Sequence, residues 1–193
     1  GSTLFDIITS KMKVKATDNV LIVTEKGNAV KVNVAQIPEC KWKDKGTTLK
    51  NIDKNVDIME SPVAILPFTS VDILLMTEQG IVKRMSGQDA VITKSYYQIM
   101  KVADDDKLIS AEVEEKGKSI LMFTKHGFVV NFEKSEVPTQ GRVSGGVKGV
   151  NLEDKDSVVF AGQNVYDSVI VITDNGYVKR LSAIQIPMCA RYR

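Results

Sequence analysis

One pattern of hydrophobic and polar positions recurs four times along the 193-residue chain. Residues 18–31, DNVLIVTEKGNAVK, form an apolar run, then Thr-x-x-Gly, then a second apolar stretch ending on a positive charge. The pattern returns as VDILLMTEQGIVKR (71–84), KSILMFTKHGFVVN (118–131) and DSVIVITDNGYVKR (167–180), the third copy ending on Asn instead of a base. The turn glycines Gly27, Gly80, Gly127 and Gly176 are 53, 47 and 49 residues apart. A shared Thr at one offset and Gly at another is an internal repeat, which constrains the fold before anything else does. Val, Ile, Leu, Phe and Thr on both flanks suit a pleated, half-buried surface, and a turn that needs positive φ selects Gly. The repeat therefore predicts a β-hairpin near 18–38, 71–91, 118–138 and 167–187. Buried helices would not carry so much β-branched residue in so short a period.

Between the hairpins the copies share further landmarks. Pro38, Pro138 and Pro187 lie 11 residues past their turn glycines, and Gly46 and Gly146 lie 19 past. The second copy departs, with Val91 in place of Pro and SYYQIMKV in place of the glycine-rich run. Residues 3–17, 107–117 and 158–166 read as strands leading into the first, third and fourth hairpins. Repeats of about 50 residues with roughly four short strands each predict an all-β, propeller-like fold of about four blades in one domain spanning 1–193. A β-sandwich gives no reason for Thr-x-x-Gly to recur at fixed spacing. The chain starts and stops partway through a repeat, and its opening Gly1-Ser2 reads as a cloning scar on an excised fragment.

Composition narrows the class. A chain 43% hydrophobic and 26% charged fits a globular protein, and no apolar stretch approaches the roughly 20 residues that span a bilayer. The expectation is a cytoplasmic protein with no membrane partner. Cys40 and Cys189 sit at one offset in two copies (IPEC and IPMC), which predicts separate, partly buried thiols rather than a disulfide or metal site. The acidic runs 104–106 and 153–156 read as solvated turns, with a metal site as the sharper alternative. His126, the one histidine, sits in a turn. No nucleophile–base pair, phosphate-binding glycine loop or metal-spaced Cys/His cluster is present, so no catalytic residue, metal or cofactor is assigned.

The motif [ILVM]-x-[FIVM]-T-x-x-G-x-[VA], followed by G-R-x-x-x-G-V-K-G-V and an acidic turn, resembles the C-terminal repeats of bacterial type IIA topoisomerase A subunits, those of DNA gyrase and topoisomerase IV. The resemblance covers essentially the whole chain and is strongest over 120–160. It implies a β-pinwheel, in which adjacent blades exchange a strand and a basic rim bends or wraps duplex DNA for a cleavage core in other domains. It also implies a bacterial, nucleoid-associated setting and no catalysis in this domain. The implied partners, besides duplex DNA, are the remainder of the same topoisomerase polypeptide and the ATPase subunit of the enzyme. Gyrase-type domains carry a box Q-[RK]-R-G-G-[RK]-G. Residues 140–149, QGRVSGGVKG, keep its Gln, one Arg, the Gly pair and Lys-Gly, but with insertions. That departure tilts the reading toward topoisomerase IV, with gyrase-type wrapping the alternative.

Sequence-independent DNA binding needs Lys and Arg along a curved path. One candidate set lies on the second hairpin strand: Lys31, Lys83, Arg84, Lys179 and Arg180. The other lies in the loop beyond it: Lys41, Lys43 and Lys45, then Gln140, Arg142 and Lys148, then Arg191 and Arg193. Trp42, the single Trp, could stack on a sugar or base, but a lone Trp reads more readily as a packing anchor between blades. A net charge of +2 keeps a second class open, a propeller that binds protein without DNA.

Overall fold

A computed structural model describes residues 10–192. In chain order its strands are β1 (Asn19–Thr24), β2 (Asn28–Asn33), β3 (Pro62–Pro67), β4 (Ile73–Thr77), β5 (Ile81–Met85), β6 (Tyr96–Gln98), β7 (Leu108–Val113), β8 (Ile120–Thr124), β9 (Val129–Phe132), β10 (Val147–Lys148), β11 (Val158–Gln163), β12 (Ser168–Ile172) and β13 (Val178–Ser182). Short helices α1 (Leu49–Ile52) and α2 (Gly87–Ala90) interrupt the loops. The four antiparallel hairpins are β1–β2, β4–β5, β8–β9 and β12–β13. Of the strand expected over 3–17, residues 3–9 lie outside the described residues, and 10–17 contain no strand.

Local chemistry explains the repeated motif. Each turn glycine sits at positive φ, from +82° to +91°, and donates its N–H to the carbonyl of the Thr at 3.0 Å. The Thr hydroxyl accepts the N–H of the residue after the glycine, at 3.1 Å in the last three hairpins and 3.4 Å in the first. Thr therefore closes the turn from its side chain while Gly supplies the backbone angle.

The first three sheets are assembled from two repeats each. The order β3–β1–β2–β6 flanks the first hairpin with the strands just before and just after the second. The order β10–β5–β4–β7 does the same for the second hairpin with strands around the third. The third hairpin gains β11 only, and the fourth is a lone pair among the described residues. Each of the first three sheets thus takes strands from the following repeat, the strand exchange of a pinwheel.

This arrangement buries both faces of the inner strands, which is why they are continuous apolar runs instead of alternating ones. Leu21 and Val23 face Ile73 and Leu75 in a cluster between the first two sheets. Leu74 and Met76, on the opposite face of β4, join Ile120, Met122 and Phe132 between the second and third. Val20, Ile22 and Val56 close the outer face of the first sheet.

The acidic runs correct the sequence reading. One acid in each of the two runs crosses to the preceding hairpin turn, so these residues are clamps as well as turn formers. Asp106 Oδ1 accepts the Gln79 N–H at 2.9 Å, and the buried Asp156 accepts that of His126 at 2.9 Å. Glu60 takes the same part in the first repeat, bonded by Thr24, by Asn28 at 2.7 Å and by Tyr96 at 2.7 Å. Burial would raise the Asp156 carboxyl. Bonds from Thr124 and from the backbone of His126 and Ser157 hold it below the usual range.

Candidate nucleic-acid interface

The loop over 138–150 follows the third hairpin and is seated on the second. Val147 pairs with Val82, and the Gln140 N–H reaches the Arg84 carbonyl at 2.9 Å. Within the loop, Gln140 Oε1 accepts the Gly146 N–H at 2.9 Å. Gly146 lies at φ +81° and approaches so closely that a Cβ would stand 2.6 Å from the Val82 carbonyl oxygen.

Lys83 corrects the sequence reading. Its side chain is wholly buried, out of reach of any phosphate. Its ammonium donates to the carbonyls of Ile99 at 2.7 Å, Ser144 at 2.9 Å and Arg142 at 3.0 Å. All three N–H donors are spent on backbone, two of them in the basic loop. Burial pulls its pKa down to about 8, opposed by the Asp89 charge and reinforced by that of Arg142. At neutral pH it remains a cation that pins the loop.

Arg84 is also committed internally. It makes a two-pronged bond to Glu114, at 2.7 and 3.0 Å, and a third to the Lys134 carbonyl. The Glu114 bonds hold its pKa above the ordinary guanidinium value. Gln140 spends its side-chain oxygen on the loop. Lys31 is half-buried with its ammonium 4.6 Å from the Phe68 ring centre.

The remaining candidates reach solvent. Arg142 is half-exposed, Lys148 is exposed, and the Lys148 ammonium lies over the Tyr192 ring at 5.2 Å. Arg191 is brought beside Lys148 by a bond from its Nη1 to the Lys148 carbonyl at 2.7 Å and one from its Nε to the Glu136 carbonyl at 2.8 Å. Lys41, Lys43 and Lys45 are exposed on the first loop, and Lys179 and Arg180 are both exposed on β13. Arg193 lies outside the described residues.

Sequence reasoning missed Lys101. It is exposed, and its N–H bonds the Ser144 carbonyl at 3.0 Å, so it borders the basic loop. Lys101 and Lys148 both lie 21 residues past their turn glycines. The offset was a usable signal, hidden by the loss of glycines in the second repeat. Lys101, Arg142, Lys148 and Arg191 thus gather positive charge from three consecutive repeats. Trp42, expected as a packing anchor, is instead 96% exposed. Cys40 is exposed and Cys189 half-buried, both as free thiols. Among the described residues no group of three or more His, Cys, Asp or Glu side chains could share a metal ion, and no helix is long and apolar enough to cross a membrane.

Hairpin repeats joined by strand exchange, with basic inter-repeat loops, define a β-propeller-like domain. The family model described as DNA gyrase C-terminal domain, beta-propeller, matches residues 18–61, 72–113, 118–163 and 167–191, and the chain belongs to this family, found in type IIA topoisomerase A subunits. Among curated relatives it is 31% identical over 183 residues to the DNA gyrase A protein of Staphylococcus epidermidis, covering 91% of this chain and 20% of that protein. It is 29% identical over 184 residues to the corresponding DNA topoisomerase 4 protein of Streptococcus pyogenes serotype M3, covering 92% and 22%. The chain therefore spans about a fifth of the length of these relatives. Among solved structures it resembles the C-terminal domain of DNA topoisomerase IV, with a TM-score of 0.82 and 25% identity over 92% of this chain and 57% of that one. The E. coli ParC C-terminal domain has the same fold, with a TM-score of 0.75 at 16% identity over 94% and 77%.

Proposed function

We propose that this domain binds duplex DNA without reading its sequence, bends it around the rim and presents it to the cleavage core of a type IIA topoisomerase. The supporting observation is the convergence of Lys101, Arg142, Lys148 and Arg191 from consecutive repeats, with the intervening loop pinned from beneath by Lys83. Cations spaced along a curved rim attract phosphates and release their counterions, so affinity falls steeply with salt. The interrupted box over 140–149 favours topoisomerase IV-like positioning of DNA over gyrase-like wrapping. The domain has no catalysis, metal or cofactor of its own in this reading. Its partners are duplex DNA and the rest of the enzyme in the bacterial cytoplasm, at the nucleoid.

The test is binding to a linear duplex of about 100 base pairs, labelled at both ends, at low and moderate salt. The expected result is salt-sensitive binding that draws the ends together. Binding with unchanged end separation would leave DNA positioning without bending. No binding at low salt would return the reading to a protein-binding propeller, for which the near-neutral charge is the motive.

A further inference from the structure

The loop over 38–48 repeats the geometry of the loop over 138–148 with one substitution of chemistry. Gly46 and Gly146 share φ +81°. Each loop carries a four-residue turn, closed by Asp44 N–H to Lys41 O at 2.9 Å in one and Ser144 N–H to Gly141 O at 3.2 Å in the other. In the first turn the Asp44 carboxylate also accepts the Lys41 N–H at 2.9 Å. Trp42 and Arg142 occupy the same place, 15 residues past their turn glycines.

In the seated loop, position 142 turns its carbonyl inward to Lys83. The Arg142 side chain stays half-exposed, with no hydrogen bond among the described residues. The same position in the first loop therefore leaves its side chain partly open to solvent even when that loop is packed as its counterpart is. There it is an indole, 96% exposed and flanked by the exposed Lys41, Lys43 and Lys45. The one acid in the turn has a carboxylate oxygen taken by backbone.

A flat apolar ring exposed among ammonium groups is suited to a polyanion whose groove presents sugars and base edges. We infer that Trp42 is a DNA contact, its indole seated in the minor groove of the bound duplex against sugar and base edges while the three lysines hold the flanking phosphates. The inference rests on the DNA-binding reading above, and extends it by an apolar groove contact at one defined point.

Trp42 is the only Trp, so intrinsic fluorescence reports on this residue alone. A fluorescein-labelled duplex of about 40 base pairs is titrated with the chain, following DNA anisotropy and indole emission separately. Trp42 emission should change, and acrylamide access should fall, along the same isotherm as the anisotropy. W42A should weaken binding about tenfold without altering the salt slope, and W42F should restore most of it. Anisotropy that rises while indole emission and acrylamide access stay fixed would overturn the inference and leave DNA binding intact. Absence of any anisotropy change at low salt would overturn both. Indole shielding on raising the protein concentration without DNA, and none on adding DNA, would make the turn a self-docking contact and also overturn it.

Discussion

The second and fourth hairpins share the Thr-x-x-Gly turn and a closing Val-Lys-Arg but have opposite surroundings. Both close their turns with a Thr hydroxyl bond of 3.1 Å and a glycine at φ +82° or +85°. Yet all five residues of β4 are buried, whereas Ile172 on β12 is 70% exposed and Tyr177 in the fourth turn 75%. Lys83 is wholly buried, and Lys179 at the same offset is exposed. The difference is in the neighbours. β4 is paired on both edges and packed on both faces, whereas β12 pairs with β13 alone among the described residues. The turn is a property of the repeat itself, and burial is conferred by the next one along.

Glycine substitutions would break this comparison most forcefully. At Gly80 a Cβ would stand 2.5 Å from Val150 Cγ1, whereas at Gly176 nothing lies within 4 Å. Gly80→Val should cost about 4 kcal/mol, combining left-handed strain with overpacking. Gly176→Val should cost about 1–2 kcal/mol from strain alone. Urea unfolding of the two variants gives both values, and equal losses would mean that the turn, not the neighbour, dominates.

The paired lysines come next. Lys83→Met strands three carbonyls and should cost about 2–4 kcal/mol by the same measurement. Lys179→Met should stay within about 0.5 kcal/mol. Charge reversal at the surface then sharpens the distinction between the loop and strand sets. Arg142→Glu with Lys148→Glu should lower DNA affinity at least tenfold for every sequence and reduce the salt slope by about 2. Lys179→Glu with Arg180→Glu should do less if the loops carry the contact. Filter-binding or anisotropy titrations at several salt concentrations rank the two pairs.

The smallest effect concerns the acid clamp of the first hairpin. Burial pushes the Glu60 carboxyl up, but bonds from Thr24, Tyr96 and Asn28 outweigh it and hold it below its ordinary 4.5. A depressed folded pKa contributes stability that is present above pH 4.5 and is lost as pH falls through the folded value. Melting temperature should therefore drop on acidification from pH 5 to 3, and Glu60→Gln should flatten that drop. An unchanged acid limb would show that the clamp titrates no differently once unfolded.

Much of this was readable from residues because it is local. The four hairpins, their glycines and their Thr caps depend on chemistry within a few positions. What escaped depends on contacts from distant segments. β6 and β10 are three and two residues long, too short to announce themselves, and they are strands only because β2 and β5 offer edges. Lys83 and Lys179 both stand in Val-Lys-Arg, three residues past a turn glycine, so no local rule separates a buried clamp from a solvated base. The acids at 106 and 156 look like ordinary turn residues until the preceding hairpin lies against them. Lys101 needed alignment by offset, not by composition.

Sharing strands between repeats also sets a timetable for synthesis. β6 completes the first sheet but lies about 60 residues after β2. At about 5–20 residues per second on the ribosome, the first hairpin waits on the order of 3–12 s for its last strand. Through that interval it exposes an apolar face and a free edge, the condition under which nascent β-chains pair wrongly. The side-chain-closed turn, which needs nothing from later sequence, is the part of the unit able to hold its register until the next repeat arrives.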